Sequence, residues 1–256
     1  MVVAAGCAGC LDGRLPGDQT DGSASGDGTA TRTYIVGIDG NYYPFSYIEK
    51  DGQPSGFDVE SILWIAEEMD FEVIIKPIAW EHIIPSLEEK RIDIIYSGMT
   101  ITDDRRARIN FSTPYRVVNQ GIVVRADSGM TMDDILGGNA VIGTQRGCSA
   151  EAWIRDNLVQ AGTLPADRLV LKDSIQLSLS ELMSGDIDAV MYDEPVIAWA
   201  IRDKPLRMAG VVETNEEYAI AVRKEDTELL EMLNEGLDRL MRSSKWQELI
   251  RKYGLE

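Results

Sequence analysis

The sequence predicts an α/β protein of two lobes joined by two crossing segments that form a hinge. Three observations carry that expectation. Strands and helices alternate over residues 34–96, the alternation returns over residues 140–191, and an apolar strand ending in Arg follows each block, at 120–125 and 217–223. Alternation of this kind implies parallel strands with helices on both faces. With 256 residues, 44% of them hydrophobic, the chain can fill one sizeable core or two smaller ones.

Taken in order, Tyr34-Ile35-Val36-Gly37-Ile38 reads as a strand stopped by Asp39-Gly40. Tyr47–Glu49 and the turn Lys50–Pro54 suggest a short hairpin-like excursion. From Phe57 to Met69 the apolar residues recur near a 3.6 period, giving an amphipathic helix. Strands at 71–75 and 92–96 flank a helix over 81–90. The second block has strands at 140–143, 169–171 and 187–191, with helices over 151–160 and 174–183. Gly185–Met191 echoes Lys90–Tyr96: a helix ends, a polar turn follows, and a strand bearing one Asp begins. The two Arg-ended strands can lie side by side as crossings whose ends serve as the hinge. The leucine-rich stretch 228–253 reads as a helical hairpin or bent helix packing back on the first lobe. The expected division is lobe 1 at 32–118 and 217–256, and lobe 2 at 119–216, with the crossings near 119–125 and 214–222.

Forty-three acidic residues against 25 Lys plus Arg give a net charge of −18. A field of that sign repels nucleic acid and anionic lipid. The cysteines, Cys7, Cys10 and Cys148, make no disulfide framework, and with His82 as the only histidine a four-ligand zinc site is not in prospect. No cofactor is signalled: no Gly-rich phosphate loop follows a strand. Residues 1–10 are small and apolar, and Ala4-Ala5-Gly6-Cys7 resembles the box cleaved before a lipid-modified cysteine, with Cys10 the second candidate. Residues 11–31, rich in Gly, Asp, Ser and Thr, read as a flexible tether.

Open α/β sheets bind ligands beyond the carboxyl ends of their strands. Those places hold Asp39–Phe45, Ala79-Trp80-Glu81, Ser97–Arg105, Thr144–Ser149 and Tyr192–Pro195. No nucleophile there has a base beside it in the sequence. Thr102 caps a helix start, and Arg105 behind it either offers its planar fork to a ligand carboxylate or answers Asp103, Asp104 or Asp58. Gly98 and Thr100 offer an N–H and a hydroxyl to the same carboxylate. Asp193 either holds an ammonium group or caps its own turn before Pro195. Tyr42, Tyr43 and Trp80 either sandwich a ligand or fill core.

The motifs Tyr43-Pro44-Phe45-Ser46, Gly56–Glu60, Gly98-Met99-Thr100-Ile101-Thr102-Asp103-Asp104-Arg105, Phe111–Tyr115 and Asp188–Asp193 together resemble the polar-amino-acid solute-binding proteins of ABC transporters, over about 34–253. The resemblance implies the periplasmic-binding-protein fold of type II, and extracytoplasmic delivery of a free L-amino acid to a membrane permease, with a monomer expected and no enzymatic activity. It implies that Arg105 grips the α-carboxylate, helped by Gly98, Thr100 and the loop Gly147-Cys148-Ser149, and that Asp193 binds the α-ammonium from the other lobe; Met99 and Gln145 are further ligand-binding candidates. Tyr42 and Trp80 would flank the ligand and Asp39 would read the far end of its side chain. Cys148 departs from the usual hydroxyl beside Ser149, and Arg146 adds a charge near the cleft. Asp39 favours arginine, lysine or ornithine, with glutamine or histidine as the alternative. Two other readings of the same fold are a cyclohexadienyl-dehydratase-like enzyme, with Glu194 or Glu81 as acid, and an amino-acid sensor module.

Overall fold

The computed structural model describes Thr31–Glu256. The expected lipidation site at Cys7 and all but the last residue of the tether lie outside these residues. The first lobe begins with β1 (Thr33–Ile38), a three-stranded antiparallel sheet of β2 (Asn41–Tyr42), β3 (Ser46–Ile48) and β4 (Pro54–Ser55), and then α1 (Phe57–Glu68), β5 (Glu72–Pro77), α2 (Ile83–Glu88) and β6 (Ile94–Thr100). β1 pairs in parallel with both β5 and β6. Every residue of β6 is buried, which is why it carries no polar alternation. α3 (Asp103–Arg108) follows, started by the Thr102 hydroxyl accepting from the Arg105 N–H at 3.2 Å. β7 (Ile109–Phe111) leads to the first crossing, β8 (Arg116–Arg125).

The second lobe contains α4 (Met132–Leu136), β9 (Ile142–Gln145), α5 (Ser149–Ile154), β10 (Leu169–Lys172), α6 (Ile175–Ser184), β11 (Ala189–Asp193) and α7 (Glu194–Ala200). β9 pairs in parallel with β10 and β11, as β1 does with β5 and β6. β12 (Leu206–Arg223) returns to the first lobe, where α8 (Thr227–Arg242) and α9 (Ser244–Tyr253) close the chain around a break at Ser243. α8 buries Leu229, Leu233, Leu237 and Leu240, one apolar stripe, against the first lobe. Its Gly236 lets α1 come close: a Cβ there would lie 2.6 Å from Ile65.

One sheet runs through both lobes in the order β10-β9-β11-β8-β12-β6-β1-β5, with β7 also on β12. The antiparallel pair β8–β12 is the bridge. β12 spans 18 residues, whereas the sequence suggests only its final part, 217–223. Its upstream half, Leu206–Glu216, is mostly half-exposed and sets the apolar run Met208–Val212 against the polar string Glu213–Glu216, which interrupts its strand signal. Pairing with β8 shifts register between Val212 and Glu216, where Asn215 takes a φ of +50° and donates its N–H to Asn119 at 3.0 Å. A second shift lies between Met208 and Gly210, and such breaks in a ladder are places where a crossing can bend.

Two helices differ from expectation. The helix over 81–90 is a 3-10 turn at Trp80–His82 followed by α2, whose Pro85 sits in the first turn where no N–H is missed. The helix over 151–160 is α5 followed by a π turn at Arg155–Val159, closed by the Gln160 N–H on the Arg155 carbonyl at 2.8 Å. Nothing in the local sequence explains that widening.

Candidate functional site

The strand ends of the two lobes face each other, and the site is assembled where they meet. A cleft of about 410 Å³ is walled by Asp39 to Asn41, Ile48 and Pro77 to Trp80 from the first lobe, and by Gln145, Asp173 and Ser174 from the second. Asp39 follows β1 directly, its N–H held by the Ser97 hydroxyl at 2.9 Å. It is 7% exposed. Its carboxylate accepts from the Asn41 N–H at 2.9 Å and, across the lobes, from Gln145 Nε2 at 3.4 Å. Burial pushes its pKa up, and those two hydrogen bonds only partly oppose this. Gln145 is itself oriented by Tyr192, whose hydroxyl donates to Oε1 at 2.6 Å.

Trp80 forms a side of the cleft and reaches the other lobe, donating Nε1–H to the Gly147 carbonyl at 3.0 Å. The Arg105 guanidinium lies 5.4 Å from the Trp80 ring centroid, within cation–π range. Arg105 is buried and answers none of Asp58, Asp103 or Asp104. It donates to the Thr100 carbonyl at 2.8 Å and, from the other fork arm, to the Gly147 carbonyl at 3.0 Å. Desolvation lowers its pKa, and the nearby Cys148, Asp193 and Glu216 pull it back. A buried fork with donors to spare is suited to a carboxylate.

Asp193, at the end of β11, is 5% exposed. Its carboxylate accepts from Tyr42 at 2.5 Å, from Gln120 Nε2 at 2.6 Å and from Ser149 at 3.4 Å. Burial, and then the Glu216 charge, push it up to about 6. The alternative in which Asp193 caps its own turn does not hold: it makes no side-chain cap on α7. Glu216, from the hinge break, accepts from Gln120 at 2.9 Å and from the Thr100 hydroxyl at 3.0 Å.

Several expected roles change. The Gly98 N–H is not free for a ligand, because it donates to Asp58 at 2.6 Å. Gly98 is glycine for two reasons: its φ is +55°, and a Cβ would lie 2.4 Å from the Tyr42 ring. Tyr42 is buried and is not part of the cleft wall. Its hydroxyl bridges Asp193 and Tyr218, linking the two lobes. Met99 is wholly buried among Ile83, Leu87 and Ile95, beneath Trp80. The Thr100 hydroxyl is engaged by Glu216, and its carbonyl holds Arg105. Cys148 keeps a hydroxyl's capping role, with Sγ accepting the Glu151 N–H at 3.4 Å, and burial raises its thiol to about 12. Arg146 faces outward at the rim, 3.8 Å from both Glu81 of the other lobe and Asp173 of its own. Gln120 and Glu216 went unnoticed in the sequence. Gln120 gave a faint signal as an uncharged polar residue opening the buried run Gly121–Val124, whereas Glu216, inside Glu213-Thr214-Asn215-Glu216-Glu217, gave none.

The bacterial extracellular solute-binding proteins, family 3, match residues 34–256. The chain is 30% identical over 228 residues to the L-cystine-binding protein TcyJ of Escherichia coli (strain K12), covering 86% of this chain and 82% of the relative. It is 31% identical over 235 residues to the L-arginine-binding protein of Pseudomonas aeruginosa, covering 88% of each. An ancestral arginine-binding protein bound to arginine superposes with a TM-score of 0.79 at 30% identity, over 86% of this chain and 97% of that one. Such relatives are binding proteins rather than catalysts, and their two-lobed α/β fold is the fold described above. A family match over residues 34–256 establishes that this chain belongs to the bacterial extracellular solute-binding proteins, family 3.

Proposed function

We propose that the protein is the extracytoplasmic receptor of an ABC transporter for a cationic L-amino acid, arginine first, which it hands to a membrane permease. Asp39 is the observation that carries this. It is a buried carboxylate facing a cleft of about 410 Å³, with Asp173 lining the same cleft from the other lobe. Its hydrogen-bond partners among the described residues, Asn41 and Gln145, are neutral. A guanidinium or ammonium would supply the opposite charge, whereas an aliphatic ligand would leave the carboxylate desolvated and unpaired. The charge of Arg146 is answered by Glu81 and Asp173, each 3.8 Å away. The arginine-binding names among the relatives point the same way. Arg105 takes the α-carboxylate and Asp193 the α-ammonium.

Closure moves 32–118 with 217–256 against 119–216 about the paired crossings, and a lipid on Cys7 would hold the folded body to the membrane through the tether 11–31. Mass analysis of protein made with its native signal tests the anchor; an unmodified N-terminus would refute it. Calorimetry with arginine, lysine, histidine and glutamine tests the ligand. Native protein is expected to prefer a cation, and Asp39→Asn to weaken arginine by about tenfold or more while sparing glutamine. Tighter binding of glutamine than of every cation would end this reading.

A further inference from the structure

Asp193 does not stand alone at the hinge end of the site. The Gln120 amide, wholly buried, donates from Nε2 to Asp193 Oδ1 at 2.6 Å and to Glu216 Oε1 at 2.9 Å. One amide therefore ties two carboxylates from different elements, β11 and the hinge break of β12. The other end of the same amide, Gln120 Oε1, is buried and has no partner. Two carboxylates on its Nε2 and an unpartnered carbonyl oxygen at its other end put three acceptors on or beside one buried side chain, and an ammonium carries three donors. Charge agrees. The cation beside them is Arg105, whose fork is engaged with the Thr100 and Gly147 carbonyls. One cation against two carboxylates leaves the cluster a negative charge in excess, and like charges sharing an amide are costly unless a cation joins them.

From this arrangement we infer that Glu216 is a second ammonium-binding residue, and that Asp193, Glu216 and the Gln120 carbonyl together seat the α-amino group of the ligand. The inference rests on the amino-acid-binding reading above and deepens it. It gives the hinge itself a contact with the ligand, since Glu216 follows the register break and also accepts from Thr100 of the first lobe. Closure and recognition of the amino group are then one event, and α-keto or desamino analogues are rejected at the hinge.

The test compares an amino acid with its desamino analogue, arginine with 5-guanidinopentanoate, by calorimetry or competition on native protein and on Glu216→Gln. The variant is nearly isosteric, and a thermal melt checks that it folds. Glu216→Gln is expected to weaken arginine about tenfold and to leave 5-guanidinopentanoate unchanged, so the ratio of the two affinities shrinks about tenfold. Equal loss of both ligands would make Glu216 a hinge brace only and overturn the inference, as would no loss of either. If another amino acid binds more tightly than arginine, the same comparison is made with that amino acid and its desamino form. A wrong side-chain assignment therefore shows itself separately from a wrong role for Glu216.

Discussion

The two lobes hang on the same three hydrogen bonds. In the first, Asp93 accepts the Ile35 N–H at 2.9 Å, and Arg223, ending the second crossing, donates to the carbonyls of Leu87 and Ile92. In the second, Asp188 accepts the Val141 N–H at 2.9 Å, and Arg125, ending the first crossing, donates to the carbonyls of Leu182 and Ile187. Even the glycines correspond: a Cβ at Gly37 would lie 2.4 Å from Ile92, and one at Gly143 would lie 2.4 Å from Ile187. By this register Asp39, just after β1, is the counterpart of Gln145 of β9, which touches it, and Gly98 of β6 is the counterpart of Asp193 of β11. The frame is copied and the chemistry is exchanged. The first lobe places its carboxylate after the first strand, beside the roomy cleft; the second places it at the end of the third strand, in a tight hydrogen-bonded cluster. A repeat that varies its strand-end residues can place one buried carboxylate on each side of a shared site.

Perturbing each lobe tests that division. The largest effect is expected from Arg105→Ala, which should weaken every amino acid in similar proportion, by about a hundredfold or more in calorimetry, since it strips a desolvated charge from a carboxylate. Selective loss of one ligand would make Arg105 a side-chain reader and collapse the comparison. Asp58, which holds Gly98 in lobe 1, should set the pH dependence of stability. Burial raises it to about 8, so its contribution is full below the unfolded value of 3.8 and is lost as pH rises through 8. Thermal melts between pH 5 and pH 8 should show native protein losing several degrees, and Asp58→Asn distinctly fewer. The lobes also touch outside the site, where Tyr43 stacks on Trp199 of α7 with centroids 3.8 Å apart. Trp199→Ala should weaken all ligands alike, by roughly two- to tenfold, the worth of one aromatic pair; stopped-flow dissociation would read this as faster release. Arg146→Ala is expected to change affinity by about twofold or less, because its ion pairs are exposed and long. A large gain in arginine affinity would show that Arg146 repels the ligand after all.

Much of the frame was legible because its signals are local. Buried parallel strands read as apolar runs, Thr102 announced α3, and the echo between residues 90–96 and 185–191 exposed the repeat. The site residues were legible as a set of strand ends, but their partners were not. Asp58 takes the Gly98 N–H across 40 residues, and Asp193 takes the Tyr42 hydroxyl across 151. Pairings at such separations follow from how the lobes close, and no spacing along the chain encodes them. Glu216 was hidden for another reason: a carboxylate in a polar string looks like solvent-facing strand until the register break turns it inward.

The lobe-to-lobe aromatic contacts make the molecule its own optical gauge. Of five tryptophans, Trp80 and Trp199 each touch the opposite lobe, one through its indole N–H and one through its ring face. Opening would break both contacts at once and change the surroundings of both half-covered indoles, altering their emission. A solution of unlabelled protein would therefore report amino-acid concentration as a change in its ultraviolet fluorescence.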